Sequence, residues 1–79
     1  MANIRRPLHK IAAEIMTDWD PVNFAAEPYV QAMTQLNAIT DQYGQDSAKS
    51  IVQYFLANAQ SWRGDVARRV KAELKQMVR

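Results

Sequence analysis

Apolar residues recur at steps of three and four along most of this chain, and a step of two is not sustained anywhere, so the pattern predicts helices rather than strands. The first helix is expected over residues 7–18. Leu8, Ile11, Ala12 and Ile15, followed by Trp19, share one face, while Lys10 and Glu14 sit four apart on the outer side. Pro7 suits the first turn, where its missing N–H has no partner to lose. The Asp20-Pro21 step ends the helix, because a residue before proline is pushed out of helical geometry. Residues 22–27 read as a connector with room for a single helical turn and with Phe24 as its apolar plug.

Pro28 then opens a second helix, expected to reach Thr40. Tyr29, Val30, Met33, Leu36 and Ile39 form its inner face, and Gln31, Thr34, Gln35 and Ala38 an almost uncharged outer one. Residues 41–44 make the loop, with Gly44 suited to a positive φ, and Asp46 or Ser47 caps a third helix over residues 47–60. Ala48, Ile51, Val52, Phe55, Leu56 and Ala59 span roughly 140° of its wheel at 100° per residue, and Tyr54 widens that arc. This marks it as the central helix, with Lys49, Gln53 and Gln60 on its narrow wet side. Ser61 is the expected cap of a fourth helix running to Val78, with Trp62 as its first buried anchor, Gly64 and Asp65 in its first turn, and Val66, Val70, Leu74 and Met77 inward. Asp65 with Arg69, and Arg69 with Glu73, are expected four-residue ion pairs along its edge.

The expected fold is therefore all-α: a compact bundle of three to four short helices forming a single domain over residues 1–79. Composition narrows what it can do. No cysteine means no disulfide framework and no thiolate metal site, and a single histidine argues against a His-rich centre. The longest apolar run is the four residues 54–57, far short of a membrane span, and residues 8–16 are interrupted by His9, Lys10 and Glu14, unlike the apolar segment of a signal peptide. The mature chain is accordingly expected to start at Met1 and to be cytoplasmic.

The net charge of +2 is unevenly spread. Residues 1–20 are neutral, residues 21–61 carry −2, and residues 62–79 carry +4. On the fourth helix Arg68, Lys71, Lys75 and Arg79 fall within roughly 80° of one another, opposite the apolar stripe. This basic ridge suits phosphate or an acidic protein surface, and would equally make an ordinary solvated face near a helix C-terminus. No aromatic residue interleaves it, so it offers no base-stacking platform. Helices two and three resemble a helix-turn-helix only in spacing, since the second of them has one basic residue, Lys49, and a face too apolar to lie outside the fold.

Reactive constellations are missing. There is no phosphate loop, dinucleotide fingerprint or nucleophile elbow. His9 lies among Arg5, Arg6 and Lys10 with no evident carboxylate partner in its helix. Glu14, Asp18 and Asp20 lack the glycine and ligand count of a calcium loop, and Ser47, Ser50 and Ser61 read as caps. The chain is expected to be no enzyme, with neither a catalytic residue nor a bound metal or cofactor. The aromatic residues say more. Tyr29, Tyr43 and Tyr54, together with Gln31 and Gln35, make a surface of rings among uncharged polar groups, which suits a protein interface as well as it suits rings packed on a core with their hydroxyls in water.

Residues 43–59 (YGQDSAKSIVQYFLANA), residues 62–74 (WRGDVARRVKAEL) and residues 28–33 (PYVQAM) resemble a family of small uncharacterised proteins of phages and other mobile elements, over nearly the whole chain. The resemblance carries over no catalytic residue. It implies a setting in which small helical proteins act as stoichiometric inhibitors of host defence, anti-CRISPR proteins among them. The expectation is a non-enzymatic binding protein that occludes a host defence complex, such as a CRISPR-Cas effector, through Arg68, Lys71, Lys75 and Arg79 and through the Tyr/Gln surface. The alternatives are an accessory nucleic-acid-binding protein using the same four cations on phosphates, and a homo-oligomer joined through the weakly charged face of helix two.

Overall fold

The computed structural model describes residues 6–79; Arg5 and Met1, which figure in the expectations above, lie outside them. Its helices are α1 (Leu8–Asp18), α2 (Glu27–Met33), α3 (Ala48–Ala57) and α4 (Asp65–Met77), with a short antiparallel hairpin of β1 (Gln42–Tyr43) and β2 (Asp46–Ser47) between α2 and α3. Each helix packs chiefly on two others, closing a ring in the order α1, α2, α3, α4 and back to α1. The core inside the ring draws Leu8, Ile11 and Ile15 from α1, Val30 and Met33 from α2, Val52 and Phe55 from α3, and Val70 and Leu74 from α4. These are the apolar stripes read from the sequence. One aromatic cluster ties three segments together. Trp19 and Trp62 stack with centroids 5.7 Å apart and planes 6° apart, and Phe55 presents an edge to both.

The fold is mostly helical rather than purely so, and the hairpin is the departure from the all-α expectation. Gly44 has φ 61° and occupies the first of two central turn positions, which a type II′ hairpin turn reserves for glycine. Two residues per strand are too few to leave an alternation in the sequence. Ser47, at the end of β2, caps α3 by accepting from Ser50 N at 3.1 Å.

Three helix boundaries differ from expectation. Helix two ends at Met33 instead of Thr40, because tight turns replace it. Gln35 N and Leu36 N donate back to Ala32 O and Met33 O, and the next carbonyls turn toward α1: Leu36 O accepts from His9 N at 2.9 Å and Asn37 O from Leu8 N at 2.8 Å. Two of the four donors a helix leaves open at its start are satisfied this way. Asp41 holds the turn, its carboxylate accepting from Asn37 N and Ala38 N at 3.0 and 2.9 Å. Helix three stops at Ala57, where the Asn58 side chain donates to Tyr54 O at 2.8 Å. Helix four begins at Asp65 rather than after Ser61. Gly64 is its cap, at φ 110° and ψ −179°, a conformation that glycine alone adopts at little cost. Ser61 instead accepts from Asn23 Nδ2 at 3.3 Å. Trp62 is a buried anchor as expected, although it precedes the helix.

Phe24 is not a plug. It stands 88% exposed, and Ala26 fills the buried place in the connector.

Candidate binding surface on the last helix

Which face of α4 is open follows from where its carboxylates go. Glu73 turns away from Arg69 and accepts from Arg6, at 3.1 Å from Nε and 2.6 Å from Nη2. Glu14, read as an outer residue of α1, faces α4 instead and binds Arg69 as well as Arg6 Nη1 at 2.9 Å. The Arg69 pairings expected within α4 are thus replaced by a network across the α1–α4 seam, because Glu14 and Arg6 bring opposite charges within reach from a neighbouring segment. The network leaves its mark on the titrating groups. The Arg69 hydrogen bond, and then Arg6, hold the Glu14 carboxyl below its usual range, while Glu73 above all, and then Glu14, raise Arg6 further above its own.

What remains on the other side is basic. Among the described residues Arg68 pairs only with Asp65, at 2.9 Å, with the two side chains 77% and 95% exposed. A pair so exposed neutralises little. Lys75 and Arg79 are exposed and make no ion pair or side-chain hydrogen bond among the described residues. Lys71 differs from the other three. It is half-buried, donates to Trp62 O at 2.6 Å and lies 6.0 Å from the centre of the Trp62 ring. Burial, then the neighbouring charges of Lys75 and Arg63, lower its pKa from the ordinary lysine value. Arg63 therefore belongs to the basic face, and sequence reading missed it because it lies outside the helix whose wheel defined the ridge. A cleft of about 300 Å³ opens on this face between Trp62, Arg63, Gly64, Ala67, Arg68 and Lys71.

The aromatic and amide residues do not gather into one patch. Tyr29 and Tyr54 meet across α2 and α3, with ring centroids 5.5 Å apart and planes tilted by 33°. Tyr54 is 52% exposed, while Tyr29 is partly covered. Gln31 is two residues from Tyr29, about 200° around the helix, and lines a different cleft with Trp19 and Val30. Gln35 lies in the turn after α2, and Tyr43 is an exposed residue of β1 with no ring partner among the described residues.

Among the described residues no three His, Cys, Asp or Glu side chains come together as metal ligands. Asp18 accepts the Trp62 indole N–H at 2.8 Å, and Glu14 is engaged by two arginines, so the acidic residues of α1 serve packing between segments. No described helix is long and apolar enough to cross a membrane.

Comparison with protein-family models, with curated proteins and with solved structures finds no match to this chain.

Proposed function

We propose that this protein is a non-enzymatic binding protein that acts as a stoichiometric inhibitor, covering a surface of a host defence complex, with a CRISPR-Cas effector as the named target. One observation carries the choice of surface. The carboxylates beside α4 are committed to Arg6 and Arg69 on one seam, so Arg63, Arg68, Lys75 and Arg79 stand on the opposite side with, among the described residues, only Asp65 paired against them. Such a face attracts an acidic protein surface, or occupies the rim of a channel in the place of nucleic acid, and steers the encounter by its field. The setting comes from the resemblance of residues 28–33, 43–59 and 62–74 to small proteins of phages and mobile elements.

The test is a plasmid-interference assay in cells carrying one effector type at a time. Transformation of a targeted plasmid is expected to recover when the chain is expressed, and to fall again with Arg68→Glu and Lys75→Glu together. Undiminished interference across the effector types would remove the inhibitor reading.

Phosphate binding is the second reading, favoured by the gathering of Arg63, Arg68 and Lys71 around one cleft. It requires direct binding of DNA or RNA by the isolated protein, weakening steeply with salt. A mobility shift that is absent at low salt would exclude it.

A further inference from the structure

The cations of the basic face are not evenly spread. Arg63, Arg68 and Lys71 stand around one cleft of about 300 Å³, which Trp62, Gly64 and Ala67 also line. Lys75 lies one helical turn, about 6 Å, beyond Lys71, and Arg79 follows the end of the helix. The cleft is therefore one end of the ridge, and the remaining charge leads away from it.

Donors at this end are open to a ligand. Arg63 makes no ion pair or side-chain hydrogen bond among the described residues. Lys71 gives one of its three N–H groups to Trp62 O, which leaves two. Arg68 holds the exposed Asp65 carboxylate with one nitrogen and keeps the rest of its five-donor fork. The backbone adds to these side chains. The N–H groups of Asp65, Val66 and Ala67 have no acceptor among the described residues, and a Cβ on Gly64 would meet nothing within 4 Å. An anion held by the three cations can thus come close to the start of α4, where the helix dipole favours it.

The charge at the cleft matches a dianion. Three cations against the one Asp65 carboxylate leave +2. A phosphodiester within a strand carries one negative charge, whereas a phosphate monoester carries between about −1.5 and −2, on three acceptor oxygens. A nucleic-acid strand has such a monoester only at a phosphorylated end, and its next phosphates would meet Lys75 and Arg79 along the ridge. A free phosphate or a phosphorylated side chain would leave those two cations unused. We propose that the cleft between Arg63, Arg68 and Lys71 binds the terminal phosphate of a nucleic-acid strand. This rests on the phosphate-binding reading of the basic face, and adds that the strand is held by its end.

Fluorescence anisotropy of the full chain with a labelled single strand of about 12 nucleotides tests it, within the usual site sizes of strand-binding proteins. The strand is phosphorylated at its 5′ end, at its 3′ end or at neither. A phosphorylated end is expected to lower Kd about tenfold, the scale of added hydrogen bonds to a charged group. Arg63→Ala and Arg68→Ala together abolish that advantage. Lys75→Ala weakens all strands alike and keeps it, and Asp65→Asn enlarges it. All four positions are exposed, and unchanged urea midpoints show that the variants are folded. Equal binding of phosphorylated and unphosphorylated strands would overturn the proposal while leaving phosphate binding by the face intact, whereas no binding of any strand would remove both. An advantage that survives in the double variant would also overturn it, as would AMP or a phosphoserine peptide binding as tightly as the phosphorylated strand.

Discussion

The Lys71 ammonium of α4 donates to the carbonyl oxygen of Trp62 at 2.6 Å and lies 6.0 Å from the centre of the same indole. Lys71 therefore does something different from the cations beside it. It ties the middle of the last helix to the preceding segment that carries the buried tryptophan, and so it belongs to the fold as well as to the basic face.

Substitutions along the ridge are expected to divide accordingly. Lys71→Ala leaves a carbonyl without its charged donor and costs about 1.5 kcal/mol. Arg68→Ala, Lys75→Ala and Arg79→Ala stay within about 0.5 kcal/mol, as exposed positions do. Urea unfolding of the four single variants measures the difference.

Trp62 offers a second check. Its Nε1–H donates to the Asp18 carboxylate at 2.8 Å, while its ring stacks on Trp19 and meets Phe55. Asp18→Ala leaves a nearly buried donor unpaired and is expected to cost about 1–2 kcal/mol. Trp62→Phe loses the hydrogen bond and part of the stack, while Trp62→Ala opens a cavity and costs about 3–5 kcal/mol. Thermal unfolding should rank them in that order of severity.

The two glycines test the backbone directly. Gly64 has φ 110° and Gly44 φ 61°, and neither would meet a neighbour if a Cβ were added. Any loss on substitution is therefore conformational. Gly64→Ala is expected to cost about 1–3 kcal/mol, because that region is essentially closed to other residues. Gly44→Ala costs about 1–3 kcal/mol, because the first central position of a type II′ turn is likewise reserved for glycine. A loss at Gly64 below about 0.5 kcal/mol, read from the melting temperatures, would contradict the assignment of Gly64 as the cap.

Stability should also fall in acid, in a defined direction. Arg69 and Arg6 hold the Glu14 carboxyl below its usual range, and the N–H groups of Ala38 and Asn37 do the same for Asp41. A carboxylate whose folded pKa lies below its unfolded one adds stability above the unfolded value, near pH 4. That contribution is lost as pH falls through the folded value. Urea midpoints at pH 6 and pH 3 are expected to differ more for wild type than for Glu14→Gln, and equal differences would mean that the α1–α4 network contributes nothing.

The sequence made the apolar stripes legible because helical burial repeats at a fixed step, and Leu8, Ile15, Val52, Phe55, Val70 and Leu74 all lie where that step puts them. It did not show where helices stop. The end of α2 depends on Leu36 and Asn37 meeting the start of α1, a contact between residues nearly thirty positions apart. The charges followed the same rule. Arg69 and Glu73 read as partners because they are four residues apart, yet Glu14 and Arg6 reach them from another part of the chain. Phe24 misled for a related reason: an isolated aromatic in a short connector has no periodic neighbours to say which way it points. Arg63 was missed because a helical wheel cannot include a residue that precedes the helix.

The most direct measurement is target cleavage by purified CRISPR effector complexes of each type, with increasing amounts of the protein and, in parallel, of a variant carrying Arg63→Glu, Arg68→Glu, Lys75→Glu and Arg79→Glu. Cleavage by one of the complexes is expected to stop near stoichiometric wild-type protein and to continue in the presence of the variant, with both proteins folded. Cleavage undiminished by the wild-type protein for every complex, or blocked equally by the variant, would contradict inhibition through the basic face of the last helix.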